Sequence, residues 1–412
     1  MTTVPAEPQF LVDRRSAAAA EAASLELPQY KGAPGWEFTP LGKLDLGAFP
    51  VAAGGAEDAA EHLLDLDLEA AVRPSADDAV TEGPVVLPLA IAAERHPDIV
   101  QRHLGTVVTA RTRFTAENDA RWTDGAFVYV PKGVHVEAPI VLTTVHEQAG
   151  TTLHQRLLIV MEEGAEAEVW HQTLSADREA DGVVNGVVEL VVGQNARLRF
   201  VDAQDLAEKT WQFGAQRAVV ERDGSLDWIT LGFGSADGKV FLETKLAGPG
   251  ASANVTGAYA TRGRQHLDFD TLQEHAAPDT TSDLAFRGIL NGRSSAVWRG
   301  MIQVDEGAQR TDAFQESRNL LLTKKAHADA IPGLEILAND VRCTHAAAIA
   351  QIDPEQLFYL RSHGLAEPEA HRLVVEGFLQ ALVERFEEGP VREAVSGALE
   401  RRLALALGAQ PA

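Results

Sequence analysis

Between about Thr106 and Ile352 the hydrophobic positions come in short runs that alternate with polar ones: FVYVPKGV, LLIVMEEGAEAEVW, VVELVVGQNARLRF, AVVERDGSLDWITL and FLETKLAGPGASANV. A period of two marks a strand, because successive side chains leave a pleated backbone on opposite faces. The runs are rich in Val, Ile, Thr and aromatic residues, and they end in turns at Gly164, Gly193, Gly224 and Gly250. These turns return roughly every 30 residues, each followed by small residues and another alternating run, as in stacked repeats. Strand, glycine turn and strand, with no helical period between them, favour a coiled β-solenoid over a sandwich. Periodicity leaves open whether the strands run parallel or form stacked antiparallel sheets.

Either side of this region the period lengthens. Ala17 to Ala23 is alanine-rich and helix-prone, and after Pro28, Gly32, Pro34 and Gly35 the segment GWEFTPLGKL reads as exposed. Helical character is expected over 56–72 and again over 87–104, where Leu87, Ile91, His96 and Val100 recur near helical spacing. After the strands, Asp353-Pro354 supplies an N-cap and a first-turn proline for a helix ending near Gly364. A second helix from Glu367-Pro368 carries Leu373, Val374, Phe378, Leu379, Leu382 and Phe386 as one apolar stripe, and a third follows Pro390 through Leu403 and Leu407. The expected organisation is a mainly helical N-terminal domain (1–105), a β core (106–352) and a helical C-terminal domain (353–412). The apolar stripe of that last domain needs either the solenoid or another chain to cover it.

Composition narrows the function. The 412 residues carry a net charge of −24 with no basic cluster, which argues against nucleic acid as a partner. No apolar run approaches a membrane span or a signal-type segment, so the expected location is cytoplasmic. Walker, dinucleotide-binding and nucleophile-elbow motifs are absent, and the single cysteine, Cys343, excludes an internal disulfide.

The most informative string is NDVRCTHAAAIAQIDPEQLFYLRSHGL, from Asn339. Strand alternation places Val341, Cys343 and His345 on one face and Arg342 and Thr344 on the other. A thiolate and an imidazole so placed reach one soft or borderline metal, but two ligands do not complete a tetrahedral site or a cluster. With no second cysteine in the chain, the simplest source of further ligands is a neighbouring subunit. The same pair also fits an ordinary packed cysteine beside a histidine, or a Cys-His nucleophilic pair lacking its orienting group. His266, Asp268, Asp270 and His275 offer a second carboxylate-histidine set, weighed against a polar strand face meeting solvent or a paired subunit. Trp298 and Arg299 read as packing and rim residues.

Five ordered blocks give the chain a resemblance to a known family. They are GWEFTPLGKL from Gly35, WTDGAFVYVPKGVHVEAPI from Trp122, QEHAAPDTTSDLAFRGILNGRSSAVWRG from Gln273, GAQRTDAFQESRNLLLTKKAHADAIPGLEILANDVRCTHAAA from Gly307 and LFYLRSHGLAEPEA from Leu357. Over nearly its whole length the chain resembles the SufB/SufD family of iron-sulfur cluster assembly scaffolds, and the SufD branch in particular. The resemblance implies a right-handed parallel β-helix core flanked by helical N-terminal and C-terminal domains. It further implies pairing with a SufB paralogue through the β-helix and binding of the SufC ATPase by the C-terminal helical region. Phe358, Tyr359, Leu360, Arg361, Leu365 and Phe378 are the partner-binding candidates there. His345 matches the family's SufD histidine and Cys343 its neighbouring cysteine, as ligands to a nascent iron-sulfur cluster held transiently at the SufB–SufD interface. No cofactor is expected to stay permanently bound to the isolated chain, which can also pair with itself. The implied role is a non-catalytic scaffold. The alternatives are a SufB-like sulfur acceptor and, from another class, a β-helix carbohydrate-active enzyme, which needs a carboxylate or calcium groove and is usually exported.

Overall fold

The computed structural model of the 412-residue chain describes residues 7–29, 34–75, 83–109 and 111–407. Helix α1 (Gln9–Ser24) opens it and is followed by a short strand β1 (Val51–Ala52), then β2 (Val85–Pro88) and helices α2 (Leu89–Arg95), α3 (Pro97–His103) and α4 (Arg113–Arg121). Sixteen strands then alternate between two sheets as eight coils. They are β3 (Asp124–Val130) with β4 (Ile140–His146), β5 (Thr151–Met161) with β6 (Glu166–Ser175), β7 (Asp181–Val192) with β8 (Arg197–Asp205), and β9 (Lys209–Val220) with β10 (Ser225–Gly232). The remaining pairs are β11 (Asp237–Leu246) with β12 (Ser252–Thr261), β13 (His266–His275) with β14 (Thr281–Leu290), β15 (Ser295–Val304) with β16 (Asp312–Leu321), and β17 (His327–Ile336) with β18 (Arg342–Gln351). Odd strands pair with odd and even with even, all in parallel from β3 onward, giving a ten-stranded and an eight-stranded sheet. From β5 to β17 the odd strands start every 28 to 32 residues, so the repeat read from glycine spacing is the coil length. The question left open by periodicity is answered: this is a parallel β-solenoid.

Alternation along every strand sends one set of side chains into a bore between the sheets. Val128, Ile159, Leu190, Phe200, Trp228, Val255, Leu284, Phe286 and Trp298 fill it, each at most 1% exposed. Burial of so much apolar surface is the main term holding successive coils together. The tight turns need left-handed backbone, and Gly164 (φ 68°) and Gly250 (φ 75°) supply it. At the two intervening turns Asn195 and Asp223 take that conformation instead. Gly193 is required there for another reason, because a Cβ on it would lie 2.6 Å from the Met161 carbonyl oxygen.

Several local expectations are corrected. The continuous run of coiled strands begins at Asp124, not near Thr106, because α4 occupies 113–121. Its start is fixed by a reciprocal cap in which Thr115 N–H donates to Thr112 Oγ1 (3.2 Å) and Thr112 N–H to Thr115 Oγ1 (2.9 Å). The 56–72 segment holds only a 3-10 turn, Glu57–Ala59, rather than a helix. Its backbone is satisfied from outside, with Leu63 and Leu64 N–H donating to Gln172 Oε1, while Leu63 and Leu64 are buried against the solenoid. Helix over 87–104 is interrupted at His96 by Pro97, and Leu87 belongs to β2. The segment read as exposed lies largely inside: Trp36, Thr39 and Leu41 are buried, with Trp36 stacked on Phe114 at 5.3 Å. Gly32 lies outside the described residues.

A chain of charges ties the N-terminal helices to the solenoid. Arg14 on α1 pairs with Asp119 on α4 (2.7 Å), Arg156 on β5 donates to Asp119 (3.1 Å), and Arg156 also meets Glu189 on β7 (2.7 Å). The Glu189 carboxylate, fully buried, additionally accepts the backbone N–H groups of Gly105, Val107 and Val108. It therefore anchors a loop and neutralises a buried guanidinium at once.

Three helices close the chain: α5 (Pro354–Ser362), α6 (Glu367–Val383) and α7 (Pro390–Ala406). Asp353 caps α5 by accepting from Glu355 N–H (2.9 Å), as its sequence indicates. The buried stripe of α6 is Val375, Leu379, Leu382 and Val383, continued by Phe386, whereas Leu373 is 49% exposed and Val374 half-buried. The stripe is rotated because α6 and α7 lie along the outer face of the eight-stranded sheet, against Trp170, Val201, Ile229, Leu231 and Ile289.

Candidate functional site

The two ends of the solenoid are built differently. At the N-terminal end β2 pairs with β3, and Val72 exchanges backbone hydrogen bonds with Pro139 and Val141 beside β4. Val72, Val86, Val134 and Val136 pack over the bore there. At the C-terminal end β17 and β18 are the outermost strands of their sheets, and no described element covers them. Ile331, Leu334, Ile336, Leu337 and Ile349 are exposed on this last coil.

Cys343 and His345 stand on this open coil. In β18, Cys343 is in register with Ala313 and His345 with Gln315, both inward-facing and at most 1% exposed in β16. Both candidates therefore share one face, as alternation requires, and that face looks into the mouth of the bore. Cys343 is half-buried and packs with Val341 on Ile302, Val304 and Ala308, while His345 is exposed. Burial, with the Asp312 charge adding, pushes the Cys343 thiol up, so in the isolated chain it stays protonated at neutral pH. Among the described residues no three or more His, Cys, Asp or Glu side chains converge on a metal-sized space. The pair is an incomplete donor set, soft sulfur beside imidazole, of the kind that zinc or iron-sulfur centres use.

The second carboxylate-histidine set is resolved into structural parts. His266, Asp268 and Asp270 do share the outer face of β13, while His275 lies on its inner face. Asp268 accepts from Lys239 Nζ (2.9 Å) and from Thr39 Oγ1 (2.6 Å), and Asp270 faces Lys239 (3.6 Å) and Arg299 (3.8 Å). Burial pushes Asp270 up to about 6 against the pull of these cations. The chain's own 34–41 segment lies over much of this face, with Thr39 on Asp268 and Glu37 paired to Arg299 (2.7 Å). His275 is held between Thr280 Oγ1 and Ser282 Oγ, both 2.8 Å, and burial pushes it down to about 4. Trp298 is a packing residue, fully buried in the bore.

Of the helical candidates, Phe358 (75% exposed) and Tyr359 (61%) project from α5, the latter beside the His363 ring at 4.3 Å, and exposed Arg361 pairs with Glu367 (3.4 Å); Leu360 and Leu365 are half-buried, and Phe378 is half-buried under Arg287. Sequence reading missed a polar cluster inside the bore, where His171 Nδ1 meets Asp202 Oδ1 (2.7 Å), Gln155 meets His171 Nε2 (2.8 Å) and Gln216 donates to Asp202 (2.6 Å). It also missed Gln315. No motif marks either, since each is an isolated polar residue at an inward position.

Comparison with known proteins places this architecture. Residues 143–378 match the family model described as SUF system FeS cluster assembly, SufBD core domain, and residues 70–142 the model of the SufBD protein N-terminal region. The iron-sulfur cluster assembly protein SufD of Bacillus subtilis is 31% identical over 78% of this chain and 74% of its own length. A SufBD family protein of Mycobacterium tuberculosis is 32% identical over 71% of this chain and 74% of its own. The SufB protein of Bacillus subtilis is 29% identical over 70% of this chain and 62% of its own. No described helix is long and apolar enough to cross a membrane. The chain belongs to the SufB/SufD family of iron-sulfur cluster assembly proteins, in its SufD branch.

Proposed function

We propose that the chain is a non-catalytic scaffold subunit that pairs through the open end of its solenoid with a SufB-type paralogue. At the joint it contributes His345 and Cys343 to a nascent iron-sulfur cluster, which is cargo rather than a resident cofactor. The observation that carries this reading is the contrast between a covered N-terminal end and an uncovered C-terminal end bearing the soft donors. An unpaired edge strand is a template for another chain, and natural edges are blunted by charge or proline. β17 carries Asp329, Pro332 and Glu335, whereas β18 from Cys343 to Gln351 has no acidic residue, Lys, Arg or Pro. The β18 edge is therefore the one fitted for strand addition, with small outward side chains at Thr344, Ala346, Ala348 and Ala350. The partner then supplies the remaining ligands.

The test is co-expression with a SufB-type and a SufC-type chain, followed by anaerobic reconstitution. His345→Ala is expected to leave the complex intact and to lower cluster yield, read from visible absorption and bound iron. Full yield in the substituted complex removes His345 from the site. The exposed aromatic pair on α5 supports ATPase binding at the C-terminal helices, since aromatic anchors dominate interfaces. Replacing Phe358 and Tyr359 together by alanine is expected to weaken ATPase co-purification at least roughly 30-fold, about 2 kcal/mol, without changing the melting temperature. Undiminished capture would move the contact elsewhere.

A further inference from the structure

The floor of the open bore holds an unfilled hydrogen-bond acceptor. Gln315 is fully buried in β16, and its Nε2 donates to the carbonyl oxygens of Gly300 in β15 (3.3 Å) and Gly333 in β17 (3.1 Å). Two carbonyls around the nitrogen fix the amide orientation, because a flipped amide would turn oxygen against oxygen. The remaining Oε1 has no partner. Its place depends on a glycine: a Cβ on Gly300 would lie 2.5 Å from Gln315 Oε1 and 2.3 Å from the Trp298 ring. An orphaned buried amide oxygen carries a desolvation penalty, which a donor that reaches it relieves.

Two donors are at hand. Trp298 Nε1 is also unpartnered, but the ring edge turned to Gly300 is Cζ2 and Cη2 rather than the nitrogen. The other is the imidazole of His345, one strand above Gln315 in the same register and on the same face. Side chains so related are stacked about 4.8 Å apart. Among the described residues neither His345 nor Gln315 Oε1 has a hydrogen-bond partner.

We propose that Gln315 is a positioning residue for His345. Its Oε1 accepts one ring N–H, fixes the neutral imidazole in a single tautomer, and leaves the other ring nitrogen facing out of the bore toward the partner chain. Ligating histidines are commonly held this way by a hydrogen bond to the nitrogen that does not bind metal. The functional value of this arrangement rests on the reading of His345 as a cluster ligand, while the hydrogen bond itself does not.

The experiment is long-range 1H–15N NMR of the full chain labelled with 15N-histidine at pH 8, free of iron and sulfide, with His345 assigned by its loss in His345→Ala. The wild type is expected to show two widely split nitrogens, one protonated and one bare, and Gln315→Met to collapse them toward the averaged values of a free imidazole. Averaged nitrogens in the wild type, or an unchanged splitting in Gln315→Met, overturn the proposal. If Gln315→Met does not fold, the wild-type splitting decides, with Trp298→Phe as the second variant. Splitting lost in Trp298→Phe means that the indole N–H, donating to a ring nitrogen, fixes the tautomer, and equally overturns the proposal. In the reconstituted complex Gln315→Met is expected to weaken iron retention roughly 10-fold. Cluster yield unaffected by His345→Ala would sink the ligand reading and leave the tautomer result standing, so the two failures are separable.

Discussion

Lysine at both Leu334 and Ile349 is expected to abolish pairing with the SufB-type partner while leaving the isolated chain folded. Both side chains face inward on the last coil, yet they are 37% and 45% exposed because no further coil lies over them. In the free chain the long lysine stems can carry their ammonium groups out to water, so little stability is lost. Once a second solenoid continues the stack, those groups are trapped in an apolar bore with no counter-charge, which is the device natural edge strands use against unwanted pairing. Affinity is expected to fall at least roughly 100-fold, about 3 kcal/mol, measured by light scattering of the co-expressed pair alongside thermal melts of each chain. A stoichiometric complex of unchanged affinity would mean that the partners do not meet at this end.

Glu189→Ala is expected to produce the largest loss of stability of any single carboxylate substitution here. Its carboxylate neutralises Arg156 and satisfies three backbone donors in the 105–108 loop, all in a buried setting. Removing it leaves a guanidinium with Asp119 as its one remaining ion pair and Asn118 Oδ1 (3.3 Å) as its other acceptor, and three N–H groups without an acceptor. Breaking a buried pair from one side costs about 3–5 kcal/mol, most of it the penalty of the stranded charge. Denaturant melts check the magnitude, and limited proteolysis is expected to cut near Val107 in the variant before the solenoid unfolds. Glu189→Gln, which keeps an acceptor, is expected to fall between the two. A loss below about 1 kcal/mol in Glu189→Ala would show that α1 and α4 are held by their apolar contacts rather than by this charge chain.

Some of the architecture was legible because local rules were obeyed by the residues that carry it. The period-two runs and their turns are visible as strings, and the Asp353-Pro354, Glu367-Pro368 and Pro390 starts of α5, α6 and α7 each place a proline in the first turn, where its missing N–H costs nothing. Helix α4 carries an equally local signal in Thr112-x-x-Thr115, but it stands directly before the alternating run at Phe127, which masks it. The 56–72 segment failed in the opposite sense. Its alanines and leucines have helical propensity, yet six acidic residues crowd it, and the side chain of Gln172 gives its backbone an alternative to helical bonds. The segment at Gly35–Leu44 looked exposed because its apolar residues are not periodic. Contacts with Phe114, Phe213 and Phe241, distant in the chain, bury it.

By itself the sequence determined the coil: strand alternation, a repeat near 30 residues, and the sharing of one face by Cys343 and His345, all consequences of bonding geometry within a few residues. Tertiary structure alone decided which way that face looks, what lies beneath it and whether anything covers it. Gln315 and His345 are 30 positions apart and fall in register only because one coil is that long, and Gly300 and Gly333 reach Gln315 from the other sheet. Nor does any local rule state that the last coil is left uncovered, since that follows from where α6 and α7 find apolar surface. They find it along the side of the stack, over Trp170, Ile229 and Leu231, and so leave its end open.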